Sequence, residues 1–124
     1  MKVVSSICLV RTLDAHDLVD VTEDVEQAVA AAGVSAGRVT VAVPSPTCAV
    51  VVNERETGLL ADIGATLDRM TAPDNGASPV SVGSRSAVLP VVGGRVHLGM
   101  WQRLLLVELE GPGERSLTVQ VVGD

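Results

Sequence analysis

The stretch that decides the fold runs from Gly93 to Gly123 and reads GGRVHLGMWQRLLLVELEGPGERSLTVQVVG. A Gly-Gly pair followed by a short apolar–polar alternation is typical of a tight hairpin turn that leads into a strand. The apolar run Leu104–Leu109 then passes through a Gly-Pro-Gly turn into an alternating strand, Ser116–Val122. The stretch therefore predicts consecutive antiparallel strands. It also contains Trp101, the only aromatic residue in the chain.

Upstream of this stretch, the apolar pattern predicts five more strands: Val3–Val10, Leu13–Val21, Val39–Val43, Cys48–Val52 and Arg85–Val92. We expect the first two to pair as a meander or hairpin. The run Cys48–Val52 has no polar residue, which favours a strand that is covered on both faces.

Two helices are predicted between the strands. The first begins at Thr22, a good N-cap residue that is followed by two acidic residues, and ends at Gly33. The second spans residues 56–70, and its apolar face is formed by Leu59, Ile63, Leu67 and Met70. Two helices packed on an antiparallel β-sheet or sandwich give an α+β fold, which we expect to form a single domain over residues 1–124.

Composition limits the partners of this chain. Of its 124 residues, 47% are apolar and 19% are charged, and the net charge is −6. The basic residues are scattered, which argues against nucleic acid as a partner. No apolar run approaches the ~20 residues of a membrane span. The apolar surplus favours an oligomer, and a small anionic ligand stays open because a few arginines can hold one. The early charged residues Arg11, Asp14 and Asp17 argue against a signal peptide, so we expect a cytoplasmic protein.

The cysteines and histidines give no recognisable catalytic or metal motif. Cys8 and Cys48 lack the C-x-x-C spacing and are interpreted as free thiols, with Cys48 in the core. His97 is expected on the polar face of its strand, facing solvent or a subunit interface, and the alternative is a catalytic base. His16 is interpreted as a surface residue. Ser45 stands between two prolines outside any nucleophile elbow, which favours an exposed turn.

Gly93–Gln102 reads GGRVHLGMWQ and Glu108–Gly113 reads ELEGPG. These segments resemble the YjbQ family, whose members carry the blocks nGrlxLGtWQ and ExDGPR, and the resemblance extends upstream over Asp20–Glu54. The resemblance implies an α+β domain that assembles as a homotrimer. It also implies a secondary thiamine-phosphate synthase activity, in which a pyrimidine diphosphate is joined to a thiazole phosphate.

This chain departs from the family pattern at the expected metal site. The family's P-H-T-T-A motif appears as Pro44–Cys48, with Ser45 at the histidine position. The two further family histidines fall in the region Arg69–Ser84, which contains none, and the arginine of Gly-Pro-Arg is replaced by Gly113. Since hydroxyls are poor zinc ligands, we expect no metal and no other cofactor. Arg115 substitutes only partly for the missing arginine.

The resemblance and the local patterns together give these candidate pocket residues: Ser45, Thr47, Asn53, Glu54, Asp74, Asn75, Trp101 and Glu108. For Trp101 we favour packing against the backbone at Gly99 over a place in the pocket lining. Glu108 is expected to point away from its neighbours Val107 and Leu109, toward a polar face, a subunit contact or a pocket floor.

Two functions follow from the sequence. The first is a non-catalytic or altered-site relative that binds a small ligand as an oligomer. The alternative is an enzyme of the secondary thiamine-phosphate synthase type, which needs a group that neutralises the departing pyrophosphate. The absent histidines favour the first.

Overall fold

The computed structural model describes residues 1–14, 17–54, 65–66, 69 and 84–124. These residues form eight strands and one complete helix, in the order β1 (Lys2–Thr12), β2 (Leu18–Asp20), α1 (Thr22–Ala32), β3 (Ala36–Ala42), β4 (Cys48–Glu54), β5 (Ser86–Val92), β6 (Arg95–Val96), β7 (Gln102–Glu108) and β8 (Gly113–Gly123). The α+β class predicted from the sequence is confirmed.

The strands form two antiparallel sheets. The larger sheet has the order β1-β8-β3-β5-β6, and the smaller one has the order β2-β7-β4. The predicted hairpin between the first two strands is wrong, because β1 pairs with β8 and β2 pairs with β7. The reason is length: β1 and β8 each have 11 residues and pair along their whole length, from Lys2 opposite Gly123 to Thr12 opposite Gly113.

The core lies between the two sheets and α1. It combines Val39 and Val41 of β3, Val25 of α1 and Leu104 and Leu106 of β7, all at most 1% exposed. All residues from Leu104 to Glu108 are buried, so β7 is covered on both faces. The predicted cover on β4 is confirmed for its first half only, since Cys48–Val50 is buried and Val51–Glu54 is not.

The N-cap of helix α1 lies one residue earlier than predicted. Val21 occupies the N-cap position and makes no side-chain capping bond. Thr22 is instead the first helical residue, and its hydroxyl accepts a hydrogen bond from the backbone N–H of Leu104 at 2.8 Å. A threonine that satisfies a buried backbone donor of β7 ties α1 to the small sheet. The helix ends at Gly33 in the left-handed conformation (φ 67°), as predicted.

The predicted Gly-Gly hairpin is also confirmed. Gly93 and Gly94 have φ values of 61° and 78° and join β5 to β6. Most of the second predicted helix, residues 56–70, lies outside the described residues, and Ala65, Thr66 and Arg69 within it are helical. No helix within the described ranges is long and apolar enough to cross a membrane.

Candidate functional site

Glu108 is a charged residue at a core position. In β7 it shares a face with Leu104 and Leu106, which pack between the sheets, and it is 0% exposed. Its burial excludes an exposed polar face, while the subunit contact and the pocket floor stay predictions. Burying an ionised carboxylate is costly unless charged and hydrogen-bonding partners surround it, so its neighbours define the site.

Glu108 is held by hydrogen bonds from several strands and turns. Oε1 accepts from Arg115 Nε at 2.7 Å, from the Thr12 hydroxyl at 2.8 Å and from the Cys48 thiol at 3.5 Å. Oε2 accepts from the Thr47 hydroxyl and from the backbone N–H of Glu110, both at 3.3 Å. Both oxygens therefore have partners within the fold.

The turn before β4 continues this network toward the surface. Because the Thr47 hydroxyl donates to Glu108, it accepts from the Ser45 hydroxyl, which lies 3.1 Å away. Ser45 Oγ in turn accepts from the backbone N–H of Thr47 at 3.3 Å. Arg85 braces the turn through 3.2 Å contacts to the carbonyl oxygens of Ser45 and Pro46. Ser45 is thus a structured, half-buried turn residue whose hydroxyl forms the outer end of a hydrogen-bonded chain.

We call Thr12, Ser45, Thr47, Cys48, Glu108 and Arg115 the Glu108 cluster. Its electrostatics keep the carboxylate ionised. Burial by itself opposes ionisation, but hydrogen bonds from Arg115, the Gly111 backbone, Thr12 and the Glu110 backbone outweigh it and lower the pKa of Glu108 to about 2. A carboxylate with that pKa is a poor general acid or base near neutral pH, where such groups need a pKa close to the working pH.

Cys48 is a core residue, as predicted. It is 2% exposed, and burial together with the nearby Glu108 carboxylate raises the pKa of its thiol. Because the thiolate is the nucleophilic form, this environment makes Cys48 inert.

A divalent metal ion does not fit the Glu108 cluster. Its one carboxylate is paired with the Arg115 guanidinium, whose positive charge would repel a cation, and its remaining side chains are hydroxyls and a thiol of raised pKa. In the part of the chain that the structure describes, no three His, Cys, Asp or Glu side chains converge as metal ligands.

The other candidate residues do not join this cluster. Asn53 and Glu54 lie at the far end of β4, opposite Arg103 and Gln102, whereas Cys48 lies opposite Glu108. The seven-residue strand β4 spans six steps from Cys48 to Glu54, or about 20 Å at ~3.3 Å per residue. Asp74 and Asn75 lie outside the described residues, as does His16.

Trp101 projects from the turn between β6 and β7 and is 74% exposed. The prediction that it packs against Gly99 is wrong, because Gln102 occupies that space. Gln102 Oε1 accepts the Gly99 backbone N–H at 2.8 Å, and a Cβ placed on Gly99 would lie 3.0 Å from the same oxygen. Gln102 thus satisfies a backbone donor of this exposed turn.

Beside this turn lies a cleft of about 400 Å³ between α1 and the β5–β6 hairpin. His97 lines it and is exposed, as predicted from strand alternation. The charged residues Glu26 and Arg95 in its wall pair with each other at 3.2 Å. Arg103 bridges Asp20 at 2.8 Å and Glu23 at 2.6 Å. These pairs join α1 to β6 and β7, so the cleft walls are built from structural contacts.

Three members of the Glu108 cluster, Thr12, Cys48 and Arg115, were not among the candidate pocket residues, although Arg115 was predicted to substitute in part for the family's arginine. Thr12 continues the inward face of Cys8 and Val10 in β1, and Arg115 continues the inward face of Leu117 in β8. The alternation of inward and outward residues could have identified Thr12 and Arg115, because a polar residue on the inward face of a strand needs a buried hydrogen-bond partner.

Comparison with known proteins gives the family. The family model described as UPF0047 protein YjbQ-like matches residues 7–124. The chain belongs to the YjbQ family. A UPF0047 protein of Archaeoglobus fulgidus is 32% identical, and the alignment covers 90% of this chain and 96% of the relative. A UPF0047 protein of Methanothermobacter thermautotrophicus is also 32% identical, with 99% of this chain and 94% of the relative covered.

Solved structures of similar proteins share the fold. A YbjQ-like protein of unknown function from Sulfolobus solfataricus P2 superimposes with a TM-score of 0.92 at 34% identity, covering 99% of both chains. A hypothetical protein from Aeropyrum pernix K1 gives a TM-score of 0.89 at 34% identity, covering 97% of this chain and 98% of the other. The resemblance noted in the sequence is therefore confirmed for family and fold.

Proposed function

We propose that this YjbQ-family chain is an altered-site member that binds a small anionic ligand at the Glu108 cluster, as an oligomer and without the family's metal chemistry. The observation that carries the proposal is the Glu108–Arg115 pair. The Glu108 carboxylate is fully buried and forms an ion pair with the Arg115 guanidinium, while the Arg115 side chain keeps 24% of its surface exposed. The arrangement supports binding rather than proton transfer.

Local charge supports an anionic ligand. The chain carries a net charge of −6, yet the Arg85 guanidinium contacts the backbone of the Ser45–Thr47 turn and the Arg115 guanidinium contacts Glu108, to which Thr47 also donates. Arginine and hydroxyl donors of this kind recognise carboxylate and phosphate oxygens. The shared chemistry of the ligand is therefore an oxyanion.

The exposed apolar residues support the oligomer, for which we propose the homotrimer implied by the resemblance. Ile7 and Leu9 lie on the outward face of the edge strand β1 and are 68% and 67% exposed, and Trp101 and Met100 project from their turn. Surfaces of this kind are typical of subunit contacts. The cytoplasmic location, the single domain and the absence of a nucleic-acid partner stay predictions.

Calorimetric titration of inorganic phosphate and of pyrophosphate tests the ligand. We expect saturable binding by the unaltered protein, and Arg115→Gln to weaken it ~10-fold or more, the loss expected for a charge-assisted hydrogen bond. Arg38→Gln is the matched control, because Arg38 is an exposed arginine on β3 away from the cluster. Absence of saturable binding at millimolar anion would contradict the proposal.

The enzyme alternative gives a different result in the same preparation. Joining of a pyrimidine diphosphate to a thiazole phosphate would release pyrophosphate, which a coupled assay detects. We expect no release above the uncatalysed rate, because the described cluster fits no metal ion and Glu108 stays ionised. Pyrophosphate release that is lost in Arg115→Gln would contradict the binding proposal and support the enzyme alternative.

A further inference from the structure

The Arg115 guanidinium lies against the backbone at Gly113. A Cβ built on Gly113 would meet Arg115 Cζ at 2.9 Å, Nη1 at 3.0 Å and Nη2 at 3.1 Å. Since the three distances are nearly equal, the flat face of the guanidinium covers the position that a side chain at residue 113 would take. The 2.9 Å distance to Cζ is shorter than real Cβ contacts, so a side chain at residue 113 requires the guanidinium to shift from this position.

The backbone does not require glycine at this position. Gly113 is outside the left-handed region and lies opposite Thr12 in the register of β1 with β8, where its N–H donates to the Thr12 side-chain hydroxyl at 3.1 Å. Gly111 differs, because its φ is +20° and a Cβ there would lie 2.8 Å from the backbone oxygen of Asp14. The glycine at 113 thus makes room for a side chain, whereas the glycine at 111 serves the turn itself.

We infer that Gly113 is the positioning residue that admits Arg115 to Glu108 and so forms the oxyanion-binding end of the cluster. The inference rests on the proposed function for its ligand and on geometry alone for the contact. Nε of Arg115 is used by Glu108, and one face of the group rests on Gly113. A guanidinium fixed on two sides is preorganised to present its Nη groups to an oxyanion.

The test is a double-mutant cycle of Gly113→Ala and Arg115→Gln, read by phosphate titration. In the unaltered background, Gly113→Ala is expected to weaken phosphate binding about 10-fold or more, as removal of the arginine does. In the Arg115→Gln background the same alanine should change binding less than about twofold, because no guanidinium is left to displace. Ser116→Ala, on the opposite face of β8, is the control and should bind phosphate normally. Unchanged binding by Gly113→Ala in the unaltered background would overturn the inference.

A second readout separates this inference from the proposed function. If the unaltered protein fails to bind phosphate, the proposed function fails, and the positional role of Gly113 is judged from acid unfolding. In that case we expect Gly113→Ala to reduce the fall in the free energy of unfolding as the pH is lowered. In the Arg115→Gln background, Gly113→Ala should leave this pH dependence unchanged. If Gly113→Ala unfolds the protein both with Arg115 present and in Arg115→Gln, the added methyl group clashes with the backbone rather than with Arg115. That result would overturn the inference.

Discussion

The two ends of the β4–β7 strand pair reverse the usual pattern of burial, with a charged residue buried at one end and an aromatic residue exposed at the other. At one end the charged Glu108 is 0% exposed, and at the other the aromatic Trp101 is 74% exposed. This reversed burial has a local cause at each end. Arg115, Thr12 and Thr47 replace the water that Glu108 loses, whereas Gln102 fills the space at Gly99 that the aromatic ring would need. Burial thus follows from the available partners more than from hydrophobicity.

The largest expected effect breaks the buried end. Glu108→Ala leaves the Arg115 charge and the Thr12 hydroxyl without their partner, which costs about 3–5 kcal/mol of the free energy of unfolding. Glu54→Ala removes an exposed carboxylate from the other end of the same strand pair and should change it by less than about 0.5 kcal/mol. Urea unfolding at pH 7 measures both. Equal effects would show that the two ends do not differ in stability.

Acid should weaken the buried end selectively. The folded-state pKa of Glu108, about 2, lies below its ordinary value, so its stabilising effect is complete at neutral pH and is lost as the pH falls from about 5 toward 2. The shift corresponds to up to about 3 kcal/mol. Glu108→Gln should therefore be less stable than the unaltered protein at pH 7, and the gap should narrow at pH 3. A constant gap in urea unfolding from pH 7 to pH 3 would contradict this account.

A smaller effect tests the hydroxyl of Thr12. Thr12→Val keeps the side-chain shape but removes the donor to Glu108 and the acceptor for the Gly113 N–H, which costs about 1–3 kcal/mol. The control is Thr118→Val on the outward face of β8, which should be nearly neutral. If both valine variants unfold at the same urea concentration, the buried hydroxyl does not stabilise the cluster.

The smallest effect on subunit stability is expected at the exposed end. Trp101→Ser should change the free energy of unfolding of the subunit by less than about 0.5 kcal/mol, because the side chain has few contacts within the chain. It should instead weaken the proposed trimer, which sedimentation measures over a range of concentrations. Since Trp101 is the only aromatic residue, its fluorescence should shift to shorter wavelength as the trimer forms. Sedimentation and fluorescence that do not change with concentration would exclude Trp101 from the subunit contact.

Local patterns in the sequence predicted the elements well but not their partners. Alternation located β3, β5 and β8, and Gly33 and the Gly93-Gly94 pair marked a helix end and a hairpin. Pairing of β1 with β8 joins opposite ends of the chain, and no local pattern encodes it. The Thr22 hydroxyl was predicted to cap α1, but a backbone donor of β7 takes it.

The sequence predicted only part of the candidate site, again because local patterns do not encode which strands pair. The family motifs identified Ser45, Thr47 and Glu108, which the structure brings together. They also suggested Asn53, Glu54 and Trp101, which lie at the opposite end of the small sheet. Motifs name residues one strand at a time, whereas the antiparallel register of β4 on β7 decides which end each residue occupies.

The sequence by itself determined the α+β class, the family and the position of most strands, because periodicity and turn residues act over a few neighbouring residues. Only the tertiary structure decided that Arg115 meets Glu108 and that Gly113 leaves room for it. The physical reason is that a buried charge is stabilised by partners from other strands, and the packing of the two sheets chooses those partners.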